Sequence, residues 1–416
     1  MSTAFPLICL VTPGHVASAP RLVKEADALV EAGYRVHVVA GRHFAPADAL
    51  DADILGAARW TCTRVAYASG AGPLARRILR SLARRLVVHP RLATVRVAAM
   101  ASHAEALRLG AVSAALRAQL YVGHSLPALP AAALAARALG VPYGFDAEDF
   151  HGAETEAAMN EPARRASAHA LQAKLLAGCA HLTAASPLIS LQYKATYRVE
   201  PRTVLNVFPR SQAPASRVDP GPVAEGRPAR LYWFSQTVGP GRGLEAVVAI
   251  IGRMRTPAEL HLRGFPAPGF ADHLKALAAR AGLTRSIRFL PAGPPTGMAR
   301  LAAGADLGLS TELATPPNRN LCLTNKVFVY LLAGIPQLLS NTAAQAKLAP
   351  DLGAAAMLAD LAEPDSAARQ LDQFFADPAR VSAARGAAWN LAISRYCWDV
   401  EKAQFLESIQ AVVPLP

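Results

Sequence analysis

Along nearly the whole chain, apolar runs of strand length alternate with stretches whose apolar residues recur at helical spacing. In the first half LICLVT leads into a helix over about residues 20–32, closed by Gly33. RVHVVAG follows, then an arginine-rich helical region, AQLYVGH and a helix near 131–139 closed by Gly140. VPYGFDAED, a long helix ending near Cys179, HLTAAS and RTVLNV complete the set. Residues 209–228 hold five prolines and little apolar content, the mark of a connection or exposed loop. The alternation then restarts with ARLYWFSQ, a helix near 243–253, ELHLRG, a helix near 271–281, SIRFLP and a short helix. ADLGLS, LTNKVFVYLLAGIPQLLS and mostly helical sequence lead to the terminal YCWDVEKAQFLESIQAVV. This pattern predicts α/β architecture: two doubly wound Rossmann-like domains with parallel sheets, facing a central cleft. The expected boundaries are 1–208 for the first domain, 209–228 for a linker and 229–390 for the second domain. A C-terminal helix, 391–416, is expected to pack back toward the first domain.

The 416 residues suffice for two or three domains with sizeable cores. Five cysteines (Cys9, Cys62, Cys179, Cys322, Cys397) lie without metal-ligand spacing, which fits reduced thiols in a cytoplasm. The opening MSTAFPLICLVTPGH lacks a positive n-region and reads as a first strand. The long uncharged stretch between Arg117 and Arg137 is interrupted by His124, Ser125, Pro127 and Pro130, so no membrane span is expected there. Net charge is +13, and its distribution matters more than its size. No acidic residue lies between Asp53 and Glu105, whereas arginines recur throughout. In LARRILRSLARRLVVHPR, Leu74, Ile78, Leu82 and Leu86 are spaced by four, and Arg77, Arg80 and Arg84 line another face. The stretch Arg76 to Arg96 therefore suits an anionic membrane surface, and an ordinary surface helix carries the same pattern. Aromatics for base stacking are absent here, which argues against nucleic acid.

The helix dipole disfavours a lysine in a first turn, yet Thr324, Asn325 and Lys326 stand at the mouth of an uncharged helix. Either Thr324 or Asn325 caps that helix while Lys326 reaches solvent, or an anion sits there. In both cases removing the lysine is expected to cost no stability. WFSQTVGPGRGLEAVV repeats the oddity, with Gly239, Pro240 and Gly241 turning a strand into a helix that opens on Arg242. Two cations at two helix N-termini point to one diphosphate, held also by backbone N–H groups. Gly14 and His15 leave the first strand just before a helix, without the GxGxxG fingerprint of dinucleotide folds. His124 ends an apolar strand. FDAEDFHGAE crowds Asp146, Glu148, Asp149 and His151 after another strand, at a spacing that matches no metal template.

These motifs, in this order, resemble a GT-B glycosyltransferase near the large retaining family four. PGHVASAPRLVKEADALVEAGYRVHVV resembles that family's opening strand, loop, helix and strand. GPGRGLE resembles its KG phosphate motif with Arg242 in the lysine's place, LTNKVFVYLLAGIP its K-x-x-E-Y-x-x-x-G-x-P helix, and RYCWDVEKAQFLESI its closing tryptophan helix. The family's E-x7-E pair is missing: Val329 and Leu321 occupy those positions, and Glu312 is the nearest carboxylate. Gln236 or Thr237 stands where the family has an upstream arginine.

The resemblance implies a nucleotide-sugar donor bound by Gly14, Gly241, Arg242, Glu312, Thr324, Asn325 and Lys326. His124, Arg242 and Lys326 would take catalytic roles, the two cations stabilising the leaving diphosphate. His15, Arg21, Asp146 and Asp149 are acceptor-side candidates. The implied reaction moves a sugar to a glycan, lipid-linked or small-molecule acceptor, with retention and with neither metal nor organic cofactor. The resemblance makes 1–208 the acceptor-side domain and 229–390 the nucleotide-sugar-binding domain; the cysteines suggest a cytoplasmic setting, and the arginine-rich stretch itself suggests peripheral membrane contact. A sugar-nucleotide epimerase on the same fold and a non-catalytic nucleotide-sugar-binding relative are the alternatives.

Overall fold

The computed structural model describes residues 5–67, 73–154, 161–223, 227–283 and 286–416, without the side chains of 73–76. The side chain of Arg76 and residues 224–226 of the proline-rich stretch thus lie outside the described residues. The chain forms two compact units: one comprises 1–204 with Lys402–Pro416, the other Leu205–Glu401. The proline-rich stretch therefore belongs to the second unit, and residue 390 lies within the helix Pro378–Ser394.

In the first unit the strands are β1 (Leu7–Thr12), β2 (Arg35–Arg42), β3 (Thr61–Ala66), β4 (Leu120–His124), β5 (Tyr143–Ala147), β6 (Cys179–Ala184) and β7 (Arg202–Thr203). They make one sheet, ordered β3-β2-β1-β4-β5-β6-β7, in which every pairing is parallel. The central strands read as apolar runs because both their faces are covered, and β4 is buried throughout. β3 escapes the sequence pattern because it is an edge strand with Val65 as its one fully buried residue. At the other edge RTVLNV contracts to the two residues of β7. The helix Pro20–Glu31 starts on a proline at N1, where the ring suits the first turn, and Gly33 follows it at φ 103°. The helix Leu129–Leu139 ends on Gly140 in the left-handed conformation. Its buried alanines, Ala131, Ala132, Ala135 and Ala136, pack against Cys9, Val11 and Tyr121 of the sheet.

The second unit contains β8 (Ala229–Val238), β9 (Ala258–Pro266), β10 (Ile287–Leu290), β11 (Leu307–Ser310), β12 (Gln337–Ser340) and β13 (Ala356–Ala359). Its sheet, again parallel, is ordered β10-β9-β8-β11-β12-β13. Leu231, Trp233, Leu260, Leu262, Leu307 and Leu309 form its core with Val247 and Val248. The helix Asn325–Leu332 is buried from Lys326 to Leu332, which explains its uncharged sequence. Gly308 in β11 makes room for it, since a Cβ there would lie 2.4 Å from the Tyr330 ring.

Both sheets are doubly wound, and each reverses direction between its first and fourth strands. That leaves a crevice beyond the carboxyl ends of β1 and β4 in the first unit, and of β8 and β11 in the second.

Candidate functional site

At the second unit's switch point, the loop after β8 turns through Gly241 at φ 69° and Gly243 at φ 72°, conformations that favour glycine. Gly243 also needs its bare Cα because a Cβ would meet the Thr311 carbonyl at 2.4 Å. The Thr311 hydroxyl donates to the Arg242 carbonyl at 3.1 Å, which fixes the loop against the end of β11. Arg242 is half-buried and, among the described residues, pairs with no carboxylate. Glu312 follows β11 and is buried. Its Oε1 accepts from Lys326 Nζ at 2.5 Å, and that ammonium also lies 5.1 Å from the centroid of the Trp233 ring.

Lys326 is therefore buried and held from two sides, and does not reach back to solvent. Burial alone would raise the Glu312 carboxyl. The Lys326 ammonium, with Arg242 and Arg319 nearby, more than reverses that and holds it below its ordinary value. Arg319 escaped the sequence reading because it lies in the irregular LATPPNRNLC segment. It donates to the Gly241 carbonyl and, at 3.3 Å, to Thr315.

Two polar atoms at this point are buried without a hydrogen-bond partner: Glu312 Oε2 and Thr324 Oγ1. Thr324 occupies the N-cap position of the helix Asn325–Leu332, but its side chain makes no capping bond. Asn325, half-buried, is the first helical residue. The first-turn N–H groups are thus left uncapped by side chains, an arrangement that suits an anion. Thr342 repeats this at the helix Ala343–Leu352, with no capping bond and an unpartnered buried hydroxyl.

The first unit places its candidates differently. Asp146, at the end of β5, is gripped by Arg21, whose Nε and Nη2 donate at 2.6 and 2.9 Å. Thr183 adds a bond at 2.7 Å, and Arg21 Nη1 donates to the Val204 carbonyl at 2.8 Å. Arg21 and Asp146 are thus spent on each other and on the scaffold. His124 lies between two carboxylates, 3.4 Å from Glu25 and 3.5 Å from Asp146. Burial would lower the His124 pKa, and Glu25 with Asp146 raises it instead. Glu25 is fully buried and both its oxygens lack hydrogen-bond partners. Burial, reinforced by Asp146, pushes its carboxyl up to about 7. Glu25 was legible in principle: it stands four residues after Arg21, on the face that also buries Leu22, Ala26 and Leu29. Immediately after His124, Ser125 adopts φ 68°, a conformation rare for a non-glycine residue and typical of functional turns.

His15 is fully engaged. Its Nδ1 bonds Asp51 at 2.8 Å, while the backbone N–H groups of His43 and Phe44 donate to Nε2 at 3.1 and 3.0 Å. Gly14 donates its N–H to the Thr12 hydroxyl at 3.3 Å, so that group already has an acceptor. The Asp149 carbonyl accepts from the Tyr193 hydroxyl at 3.1 Å. His15, Arg21, Asp146 and Gly14 therefore order the crevice rather than offer free groups to a ligand.

Two triads bring potential metal-ligand atoms within 4.8 Å of one another: His15, Asp48 and Asp51, and Glu25, His124 and Asp146. Each already has a cation. Arg64 pairs with both Asp48 and Asp51, and Arg21 covers Asp146. No helix among the described residues is long and apolar enough to cross a membrane.

No family model and no curated protein matches the sequence. Solved structures do. HepE from Anabaena in complex with UDP superposes with a TM-score of 0.69 at 14% identity, covering 98% of this chain and 100% of that one. Sucrose-phosphate synthase from Thermosynechococcus elongatus gives 0.66 at 14% identity, with 97% and 98% covered. The lipopolysaccharide outer core galactosyltransferase WaaB gives 0.63 at 11% identity, with 97% and 99% covered. At such identities the likeness establishes architecture: two parallel sheets of seven and six strands flanked by helices, the fold of GT-B glycosyltransferases.

Proposed function

We propose that the chain is a glycosyltransferase whose second unit binds the diphosphate of a nucleotide sugar at the β8/β11 switch point. The observation that carries this reading is the charge balance there. Arg242, Arg319 and Lys326 all act on the buried carboxylate of Glu312, and Arg242 pairs with no carboxylate among the described residues. That cation suits a sugar-linked diphosphate, and two helix N-termini lie open beside it.

Arg242, which pairs with no carboxylate among the described residues, takes the phosphate oxygens through its planar fork. Lys326 supplies a point charge whose position Glu312 and Trp233 fix. As the bond to the sugar breaks, negative charge grows on the leaving diphosphate, and pre-oriented cations stabilise it without reorganising. Glu312 Oε2 accepts from a donor hydroxyl, the role the family gives to a glutamate absent here at Val329. His124, charged more readily than a free histidine and followed by Ser125 at positive φ, is the first unit's catalytic candidate, a role carried over from the resemblance. Retention of configuration, independence of metals, and a glycan or lipid-linked acceptor are carried over from the resemblance, and a cytoplasmic setting from the cysteines.

Because HepE was solved with UDP and with UDP-glucose, those are the first probes. The chain is incubated with UDP-glucose and other nucleotide sugars, with and without an acceptor mixture, and nucleoside diphosphate and sugar products are followed. Acceptor-dependent sugar transfer supports the proposal. Conversion of the donor to its epimer without acceptor would identify the epimerase alternative, and binding without turnover would identify a non-catalytic relative.

A further inference from the structure

The helix Pro73–Val87 faces the wrong way for an ordinary surface helix. Such a helix turns its leucine stripe inward and its charges to water. Here Ala83 and Val87 face the core, whereas Ile78, Leu79 and Leu82 are 61%, 52% and 49% exposed. The exposed apolar run continues beyond the helix at Val88 and Leu92. Arg84 reaches inward and donates to the Ala101 carbonyl at 3.3 Å. Arg77 and Arg85 of this helix, and Arg91 and Arg96 after it, are exposed, and among the described residues none is ion-paired. Large apolar side chains clustered on a surface mark an interaction site, and the charges this stretch carries are of a single sign, no acidic residue lying between Asp53 and Glu105, with Glu161 of a neighbouring segment acting on the inward-reaching Arg84.

We infer that this face docks on an anionic lipid bilayer. Ile78, Leu79 and Leu82 enter the acyl boundary, and the arginines meet lipid phosphates at headgroup level. Charge complementarity selects this occupant. A second copy of the same face would bring like charges together. A nucleic acid would satisfy the arginines and leave the leucines in water. The inference stands independently of the sugar-transfer reading, since it rests on the exposed residues of this helix and the segment after it, none of which belongs to the proposed diphosphate site.

The test is flotation of the full chain with vesicles of phosphatidylcholine alone and of equal parts phosphatidylcholine and phosphatidylglycerol. The chain is expected to float with the anionic vesicles only, and less as salt rises. Paired Ile78→Ser and Leu82→Ser changes are expected to weaken partitioning at least tenfold per side chain. Paired Arg77→Gln and Arg85→Gln changes are expected to weaken it about fivefold per arginine. Melting temperatures should stay at the wild-type value, because all four side chains are exposed. Equal flotation with neutral vesicles, or indifference to both pairs of changes, overturns the inference. So does a vesicle-free dimer abolished by the serine pair, or oligonucleotide binding that only the arginine pair removes.

Discussion

Lys326 is the residue at which the structure most changes the reading of the sequence. The dipole argument expects its removal to cost no stability, because a cation then leaves a helix N-terminus. The structure reverses that sign. Without the ammonium, Glu312 is left buried and unpaired, and breaking such a pair costs about 3–5 kcal/mol. Lys326→Met should therefore melt well below the wild type, and adding Glu312→Gln should restore much of the loss. If Lys326→Met melts at the wild-type temperature, the pair contributes nothing. Arg242 offers the cleaner functional probe, since its loss leaves no carboxylate unpaired. The cations at residues 242 and 326 were legible because each breaks a local electrostatic rule. Their partners were not. Trp233 is a core residue in any sequence reading, and nothing local couples Glu312 to a lysine fourteen positions away.

Among elements, strands covered on both faces were legible, as were the edge strands within SIRFLP and RTVLNV, whereas the edge strands β3 and β13 were not. β4, β8 and β11 follow from their apolar runs. β3 has too little burial to leave a pattern, β13 is a four-residue AMLA, and the RTVLNV run overstates the length of β7. Capping was equally opaque, because a threonine at an N-cap reads the same whether or not its hydroxyl bonds the helix. The structure separates the two cases. Ser186 caps its helix by accepting from the Ile189 N–H at 3.1 Å, whereas the Thr324 hydroxyl makes no such bond. Ser186→Ala should accordingly cost about 1 kcal/mol, and Thr324→Ala close to nothing. Thermal denaturation of the two variants checks this. A comparable loss in both would mean that Thr324 is an ordinary cap and that the anion site at this helix is not open.

For the molecule as a whole, pH and ligand response are the informative readouts. Glu25 titrates near 7 when folded and near the ordinary carboxyl value when unfolded, so folding holds its proton more tightly. The stability it contributes is complete below the unfolded pKa and is lost as pH rises toward about 7. His181, lowered to about 4 by burial, runs the opposite way over much of that range, so the wild-type profile alone does not isolate Glu25. The comparison with Glu25→Gln does. The variant should gain melting temperature relative to the wild type as pH rises from about 5 to about 8. A constant difference would mean that Glu25 is ionised across the range. The central claim, that the second unit is built around a diphosphate, is tested most directly by calorimetric titration of nucleoside diphosphates into the wild type and Arg242→Ala. The account predicts saturable one-site binding by the wild type and at least a tenfold loss in the variant, about the contribution of one charge-assisted contact, at an unchanged melting temperature. Equal affinity in the two proteins, or no binding by the wild type, would contradict it.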